Sequence, residues 1–334
     1  MAVVATGFFD GVHLGHRQVI QTLVSSARER GEEAIVVTFA QHPRAVLQQD
    51  ARTLRLLNSP QEKEALLRGL GVDRVETLPF DRAFARLTAE EYLRTVLRDR
   101  LGATLVVLGY DNRLGSDCLT PDAIRPLAVS LGLEVVVVPP TSAAKQFGSA
   151  PLKTSGVAGP LPSDDGPLPL TMPRVARFSG ATAETAAFAP EVVISSTKIR
   201  EALEAGRVED AEAMLGYSYG LRGVVVSGKQ LGRTIGFPTA NLRLYDPMKL
   251  IPARGVYLTE VGVLGRHCWG MTNVGDIIET HIFDFNEDIY GLDLELRFRR
   301  WLRAMRPMES LDALKAQLAE DESACRAEIC HFSE

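Results

Sequence analysis

A regular alternation of apolar runs and amphipathic segments in the first part of the chain is the strongest constraint on its fold. Short runs rich in Val, Ile and Leu, such as AVVAT, AIVVTF and TLVVLG, are separated by helical patterns such as HRQVIQTLVSSARERG. Nearly continuous apolar strands joined through helices are typical of a parallel sheet that is buried on both faces. The pattern therefore predicts an open α/β sheet, which binds ligands beyond the carboxyl ends of its strands.

The pattern changes after Gly216. Segments such as LRGVVVSG, GVYLTEVGVLG and IYGLDLELRFRRWL are short β patterns separated by glycine and polar turns, and the chain ends in the helical pattern SLDALKAQLAEDESACRAE. Dense short strands without intervening helices indicate a small antiparallel barrel, which the final helix would cap. We therefore predict two domains, residues 1–216 and 217–334.

Residues 141–190 interrupt the first domain with a segment rich in Pro, Gly, Ala and Ser. A segment with so few large apolar residues cannot bury enough surface to offset the entropy of ordering it. We predict a mostly flexible insertion, in which PLPLTMPRVARF forms one strand or a docking segment. The following EVVISSTKIREALEAGRVEDAEAMLG predicts a strand, a turn and one or two helices.

Composition excludes several classes of protein. The formal net charge of −5 over 334 residues gives no broad basic face for nucleic acid. No apolar run approaches membrane-spanning length and no signal-type segment begins the chain, so we predict a cytoplasmic protein. Cys118, Cys268, Cys325 and Cys330 form no C-x-x-C pair, and although His331 adjoins the last of them, zinc needs four converging ligands. Free thiols are therefore favoured, and the oligomeric state, including a possible homo-oligomer, stays open.

The motif TGFFDGVHLGH lies between the first predicted strand and the first predicted helix. Gly7 and Gly15 would let the backbone approach a phosphate, and the helix N-terminus offers N–H groups and a positive dipole end. His13 and His16 would donate hydrogen bonds where charge develops on a phosphate or a leaving pyrophosphate. The alternative is a pair of solvated histidines at a helix end.

A second anion-binding pattern occurs in the segment SSTKIR. Ser196 and Thr197 lie at a predicted helix start, and Arg200 is an always-charged donor suited to a polyphosphate. An ordinary capped surface helix explains the same residues.

The second domain carries its own glycine-rich loop, GKQLGRTIGFPTAN, at residues 228–241. It is not a Walker A motif, but repeated glycines with Lys229 and Arg233 suit a loop that folds over phosphates. Thr239 and Asn241 are two residues apart, so both should face one side of a strand and offer the oxygen ligands that Mg²⁺ takes. A turn-rich barrel rim is the alternative.

These motifs, in this order, resemble the bifunctional prokaryotic riboflavin kinase/FAD synthetase family. GFFDGVHLGH resembles its nucleotidyltransferase signature, TFAQHP at residues 38–43 is similar to its T-F-x-P-H-P motif, and ISSTKIR is similar to I-S-S-T-x-I-R. The segment Gly109-Tyr110-Asp111 and the string PTAN extend the resemblance, which covers nearly the whole chain apart from residues 141–190.

The resemblance implies a Rossmann-like nucleotidyltransferase domain and a riboflavin kinase-like barrel that together convert riboflavin and ATP into FMN and then FAD. It implies that Glu279 accepts the proton of the riboflavin 5′-hydroxyl, and that His13, His16 and Arg200 are catalytic in adenylyl transfer. It also implies that flavin, ATP and magnesium are bound by residues of both domains: Gly7, Phe9, Asp10, Gly15, Phe39, His42, Asp111, Ser196, Thr197, Gly228, Lys229, Gly232, Arg233, Gly236, Pro238, Thr239 and Asn241.

The sequence departs from the family pattern at a few positions. Gln41 replaces the first proline of T-F-x-P-H-P, Asn112 and Leu114 replace two phenylalanines, and the connection from Asn273 to Glu279 is short. Two other functions therefore stay open. One is a single-function nucleotidyltransferase, against which the PTAN-containing barrel argues, and the other is a flavin-binding protein with an impaired kinase half.

Overall fold

The computed structural model describes residues 1–42, 55–143, 192–228 and 231–332. These residues form two compact units, and the division between them falls after Ser196. Most of the predicted insertion, the segment PLPLTMPRVARF and Lys229 lie outside the described residues. No helix in the described ranges is long and apolar enough to cross a membrane.

The first unit contains the predicted parallel sheet. Its strands are β1 (Ala2–Thr6), β2 (Glu33–Phe39), β3 (Arg74–Leu78), β4 (Ala103–Gly109) and β5 (Glu134–Val138). They lie in the order β3-β2-β1-β4-β5. The chain therefore builds outward from β1 in one direction and then from β4 in the other, so the strand order reverses between β1 and β4. Open α/β sheets bind ligands at such a reversal.

Helices cover both faces of this sheet. They are α1 (Leu14–Arg30), α2 (Pro60–Gly69), α3 (Ala89–Glu91), which continues as a π-helix over Tyr92–Arg100, and α4 (Pro121–Ser130). Alternate residues of β1 enter different cores: Val3 and Ala5 pack with Ile20 of α1, whereas Ala2 and Val4 share a cluster with Leu93. The two-sided burial explains why the strands read as continuous apolar runs.

Local signals set the helix boundaries. Gly31 ends α1 in a left-handed conformation, with φ 64°, that glycine adopts without steric cost. Ser59 and Glu62 form a reciprocal capping box at the start of α2. The end of α1 agrees with the helical pattern HRQVIQTLVSSARERG, whose last residue is Gly31.

Short elements connect the sheet with the second unit. Strands β6 (Ser142–Ala143) and β7 (Val192–Val193) pair antiparallel. Helices α5 (Ser196–Glu204) and α6 (Val208–Leu215) follow, as the sequence predicts.

The second unit contains a closed antiparallel barrel, as predicted. Its strands are β8 (Gly220–Val226), β9 (Ala240–Leu244), β10 (Gly255–Val263), β11 (Arg266–Val274), β12 (Ile278–Ile282) and β13 (Asp293–Arg303). They close in the order β10-β11-β12-β9-β8-β13. A one-turn helix, α7 (Leu231–Thr234), precedes β9, and helix α8 (Leu311–Phe332) packs on β10 and β11 through Cys325 and Leu318.

Two strands are shorter than the sequence pattern suggests. The segment IIETHIFDF at residues 277–285 also has a β pattern, but its strand ends at Ile282, because the chain turns at Asp284, where φ is 55°. The strand predicted from Ile289 begins only at Asp293, after Gly291 turns with φ 77°. The segment between β12 and β13 is therefore a loop, and it lines the cavity described below.

Candidate functional sites

The first candidate site lies at the reversal of strand order in the sheet. Here the turns that follow β1 (residues 7–13), β2 (residues 40–42) and β4 (residues 110–112) meet at the carboxyl edge; we call this the N-terminal site. Asn112 Nδ2 donates to the carbonyl of Thr6 at 2.9 Å, and Ser196 Oγ donates to the carbonyl of Asp10 at 2.9 Å. These bonds tie neighbouring segments to the turn after β1.

The turn after β1 is held in an unusual backbone conformation. Phe9, Gly11 and Val12 have φ values of 54°, 83° and 37°. Positive φ is uncommon for non-glycine residues and rarer still for a β-branched one such as Val12, and each such residue costs about 1–3 kcal/mol. Phe9 and Val12 are buried, and Arg17 Nε donates to the Val12 carbonyl at 3.2 Å. The surrounding contacts therefore fix a strained turn directly before the two histidines.

His13 and His16 lie against each other at the start of α1. Their rings stack with centroids 3.6 Å apart, and His13 Nδ1 accepts a hydrogen bond from the backbone N–H of His16 at 3.3 Å. His13 is thus the N-cap of α1. Because its Nδ1 accepts, a neutral His13 carries its proton on Nε2, where it is a donor. The backbone N–H of His16 is one of the helix amides that the sequence predicts to bind phosphate. In the structure it donates to the His13 side chain instead.

His16 occupies an environment that favours its neutral form. Burial, followed by the neighbouring His13 and then the charge of Lys63, lowers the pKa of His16 well below its usual value. Its Nδ1 is buried and has no hydrogen-bond partner within the described ranges. A neutral imidazole with an unsatisfied ring nitrogen is suited to a hydrogen bond with a ligand.

The glycines of the motif provide space for rings. A Cβ on Gly7 would lie 3.2 Å from the ring of Phe9, and one on Gly15 would lie 3.2 Å from the ring of His13. The sequence assigns these glycines to phosphate approach. The structure adds that Gly15 permits the observed position of His13.

The other residues predicted for this site have different surroundings. Asp10 is buried, and its carboxylate accepts from the backbone N–H of Leu57 at 2.9 Å. Phe39 packs edge-on against Phe80, and the His42 ring lies 4.4 Å from that of Phe8. Asp111 is exposed beyond the end of β4. Thr197 and Arg200 follow Ser196 on α5 and belong to the second unit. Binding of flavin or ATP by these three residues stays a prediction.

The second candidate site lies in the barrel, around Glu279 of β12; we call it the C-terminal site. Glu279 pairs in register with Asn241 of β9 on one side and with Asn273 of β11 on the other. With the Asn241 amide oriented so that both polar atoms are satisfied, its nitrogen donates to Glu279 Oε1 at 3.2 Å and its oxygen accepts from Gly228 N at 3.3 Å. The carboxylate is therefore held by a buried amide.

The glycine-rich loop before β9 is shaped by close contacts. A Cβ on Gly228 would lie 1.6 Å from the Asn241 side-chain amide, and one on Gly232 would lie 2.2 Å from the carbonyl of Phe237. Gly236 has φ 91°. The close packing of the loop therefore explains these glycines, and their predicted role in phosphate binding stays a prediction.

A cavity of about 400 Å³ opens beside this loop. Arg233, Pro238 and Thr239 line it, together with residues of the loop between β12 and β13: Phe285, Asn286, Glu287, Asp288, Ile289 and Tyr290. The Pro238 carbonyl lies 2.8 Å from His281 Nδ1, which anchors the start of the PTAN string.

The two predicted magnesium ligands have different environments. Thr239 lines the cavity, whereas Asn241 is 6% exposed and held between Gly228 and Glu279. An amide oxygen has a second lone pair after it accepts one hydrogen bond. The hydroxyl of Thr239 and the amide of Asn241 are hard oxygen donors, so the residues present fit Mg²⁺.

The sequence did not single out two residues that the structure brings to these sites. Lys63 of α2 is 5% exposed and contacts the turn after β1. Asn273 faces Glu279 in register, and its Oδ1 is buried without a partner in the described chain. Lys63 precedes the buried Leu67 by one helical turn, so a charge on an apolar helix face is the signal that could have identified it.

Comparison with known families gives one match for each unit. The sequence matches the FAD synthetase family over residues 1–150 and the riboflavin kinase family over residues 215–329.

Individual proteins resemble the chain over most of its length. A bifunctional riboflavin kinase/FMN adenylyltransferase of Listeria monocytogenes is 31% identical over 97% of this chain and 91% of its own length. The proteins of the same name from Escherichia coli K12 and Bacillus subtilis are 31% and 29% identical. The crystal structure of a macrolide-efflux protein from Streptococcus pneumoniae has a TM-score of 0.78, 30% identity, and coverage of 97% of this chain and 93% of its own.

Proposed function

The chain belongs to the bifunctional riboflavin kinase/FMN adenylyltransferase family, and we propose that it carries out both reactions. In the first, riboflavin and ATP give FMN and ADP. In the second, FMN and a second ATP give FAD and pyrophosphate. Residues 1–216 form the adenylyltransferase part and residues 217–334 the kinase part, a division that the family matches over 1–150 and 215–329 support.

One observation carries this proposal: each unit of the chain contains a cluster of residues whose types and geometry suit phosphate chemistry. A strained H-x-G-H turn lies where the strand order of the parallel sheet reverses, and a barrel holds Glu279 against Asn241 beside a cavity. A single-function nucleotidyltransferase would have no use for the second site.

In adenylyl transfer, an FMN phosphate oxygen attacks the α-phosphorus of ATP and pyrophosphate leaves. His13, as the Nε2–H tautomer, and the neutral His16 donate hydrogen bonds to the phosphate oxygens on which charge develops. The strained turn and the stacking of the two rings hold both imidazoles in place before the nucleotide binds. This lowers the reorganisation that is needed in the transition state. Arg200 adds a permanent positive charge for the leaving pyrophosphate.

In the kinase reaction, the 5′-hydroxyl of riboflavin attacks the γ-phosphorus of ATP and ADP leaves. Glu279 accepts the hydroxyl proton, and the Asn241 amide fixes one of its oxygens so that the other can face the substrate. Thr239 and Asn241 would hold Mg²⁺, which when bound neutralises charge on the ATP phosphates.

The remaining predicted contacts complete the proposal. Flavin and nucleotide are bound in the adenylyltransferase part by Gly7, Phe9, Asp10, Gly15, Phe39, His42, Asp111, Ser196 and Thr197, and in the kinase part by Gly228, Lys229, Gly232, Arg233, Gly236 and Pro238. The binding partners are these small molecules, and the enzyme works in the cytoplasm, where ATP is supplied.

A product assay tests the proposal. Purified full-length chain, incubated with riboflavin, ATP and Mg²⁺, should form FMN first and then FAD, with ADP and pyrophosphate released. Chromatography of the flavins over time, with a separate assay for pyrophosphate, measures both steps. FAD formed only from added FMN would indicate a single-function nucleotidyltransferase, and bound flavin without any product would indicate a flavin-binding protein.

The substitution Gly228→Ala should reduce FMN formation while FAD formation from supplied FMN continues. The added Cβ would overlap the Asn241 amide, whose displacement releases Glu279 from its fixed position. Misplacement of a catalytic group by about 1 Å can cost about 10²-fold in rate. Initial rates of FMN formation measure the effect.

Gly265→Ala is the matched control, because Gly265 lies in the β10–β11 hairpin with open space around its Cα. Alanine at the positive φ of Gly265 is slightly strained, so the control also loses some stability of the barrel. If lower stability alone reduced FMN formation, the rate would fall in both variants. Full kinase activity in Gly228→Ala would contradict the positioning of Glu279 through Asn241.

A further inference from the structure

Lys63 is a buried cation next to the turn that carries the two histidines. Its Nζ donates to the carbonyl of Phe8 at 3.0 Å and to Thr38 Oγ1 at 2.9 Å, and it lies 3.5 Å from the carbonyl of Phe39. The same nitrogen is 4.1 Å from the centre of the Phe8 ring. The ammonium therefore joins the carboxyl ends of β1 and β2 at the point where the N-terminal site begins.

The charge of Lys63 is not matched by a carboxylate in contact. All its hydrogen-bond partners in the described parts of the chain are carbonyl or hydroxyl oxygens. The buried carboxylate of Asp10 acts on the ammonium without contacting it, and burial still outweighs this attraction. Removing a cation from water without an anion in contact is costly, so such groups are rarely buried without a function. A bound polyphosphate would supply further negative charge.

Two contacts tie the turn after β1 to the start of α2. Lys63 holds the Phe8 carbonyl, and the Asp10 carboxylate accepts from the backbone N–H groups of Leu57 and Asn58, directly before the helix. Thr38 Oγ1 reinforces the first contact, because it donates to the Phe8 carbonyl at 3.1 Å while it accepts from Lys63. The Lys63 side chain is therefore one of the contacts that hold Phe8, and with it the strained turn, in place.

Resting on the proposed function, we propose that Lys63 is a positioning residue for adenylyl transfer: its ammonium fixes the turn that carries His13 and His16, and its charge attracts the ATP phosphates into the N-terminal site. The proposal differs from a role in fold stability alone. A packing role needs only the aliphatic stem, whereas this role needs the positive charge.

The charge is lost within an accessible pH range. Burial lowers the pKa of Lys63 to about 8, opposed by the charge of Asp10. Asp10, His13 and His16 belong to the turn and helix that face Lys63, and His42 lies against the Phe8 ring. On α2 itself Glu62 is engaged in the capping box and Glu64 pairs with Arg68, while β2 contributes only Thr38 and the Phe39 carbonyl. Adenylyl transfer should therefore decline as pH rises through about 8.

Steady-state kinetics of the full-length chain test the proposal, with FMN and ATP supplied and FAD measured from pH 6 to 9.5. Lys63→Met, which keeps the stem and removes the charge, should lower kcat/KM for ATP at pH 7.5 by about 10²-fold. Lys63→Arg, which stays charged at every pH of the series, should recover most of this loss and should lack the decline above pH 8. FMN formation from riboflavin should be unchanged in both variants.

Lys249→Met is the matched control, because Lys249 is equally buried, at 5% exposure, but lies in the barrel unit beside Tyr219. It should leave FAD formation from FMN unchanged. If the methionine variant is poorly folded by thermal melting, the arginine variant decides alone.

Three results would overturn the role of Lys63: wild-type kcat/KM in Lys63→Met, an arginine variant as inactive as the methionine variant, or an unchanged alkaline decline in Lys63→Arg. A wild-type chain that forms no FAD would instead refute the proposed function. The two failures are thus distinguishable in one experiment.

Discussion

Replacement of His16 by alanine should abolish most FAD formation while FMN formation from riboflavin continues at the wild-type rate. The proposed role of His16 is to donate a hydrogen bond to a phosphate oxygen as charge develops on it. Removal of one such preorganised donor typically lowers kcat by about 10²–10³-fold. Rates of FAD formation from supplied FMN and of FMN formation from riboflavin, measured on the same preparation, check both halves of the expectation.

The pH profile adds a second expectation for His16. Its pKa is lowered by burial and by the neighbouring His13 and Lys63, so the imidazole stays neutral as the pH falls from 8 towards its ordinary pKa. FAD formation in the wild-type chain should therefore show no acid decline from His16 near pH 6.5, the ordinary pKa of histidine. A histidine that must be charged for activity would instead lose activity as the pH rises through its pKa.

Two controls separate chemistry from folding. His267→Ala removes an exposed histidine of β11 in the barrel and should leave both activities intact. His16→Gln keeps a hydrogen-bond donor at the helix start and should therefore retain more FAD formation than the alanine variant. FAD synthesis that survived in both His16 variants would remove His16 from the proposed mechanism.

The fold of this chain follows closely from its sequence because each half obeys one simple pattern. Alternating apolar strands and amphipathic helices specify the parallel sheet, since strands buried on both faces must be apolar throughout. Gly31 and the Ser59 capping box mark helix boundaries by local chemistry. The ends of β12 and β13 were less predictable, because Asp284 turns with a positive φ that asparagine or glycine would have signalled more clearly.

The candidate sites were predictable only where their residues are close in sequence. The H-x-G-H turn shows its histidines directly, but the strain at Phe9 and Val12 and the capping role of His13 depend on backbone angles that no sequence pattern records. Lys63 is separated from the turn by many residues, and helix packing alone brings it to the Phe8 carbonyl.

The barrel shows the same limit in another form. Asn241 and Glu279 become neighbours only through the register of β9 and β12, and Asn273 only through the register of β11 and β12. Register depends on which strands pair and on turn length, which a single sequence specifies weakly. The short connection from Asn273 to Glu279 forms a tight hairpin in the structure, and it brings the two residues into a directly opposed pair. The short connection therefore places Asn273 directly opposite Glu279 in the β11–β12 hairpin.

Replacement of Glu279 by glutamine should stop FMN formation and leave FAD formation from supplied FMN unchanged. Glutamine has nearly the same shape and can still bond to Asn241, but it cannot accept the proton of the riboflavin 5′-hydroxyl. Loss of a general base typically costs about 10²–10⁴-fold in rate. The loss should lie in kcat, with KM for riboflavin and ATP little changed, because the interaction is made only as the proton moves.

Glu295→Gln is the matched control for this substitution. Glu295 is also a partly buried glutamate of a barrel strand, but it pairs with Arg297 of the same strand rather than with the C-terminal site. Its substitution should leave kcat for FMN formation near the wild-type value, whereas a barrel sensitive to any lost carboxylate would lose activity in both variants.

If Glu279→Gln kept the wild-type kcat, proton acceptance would have to be assigned elsewhere. Asn273 could not take that role, because an amide cannot accept a proton at neutral pH, so Glu287 and Asp288 of the cavity would be the carboxylates to test next.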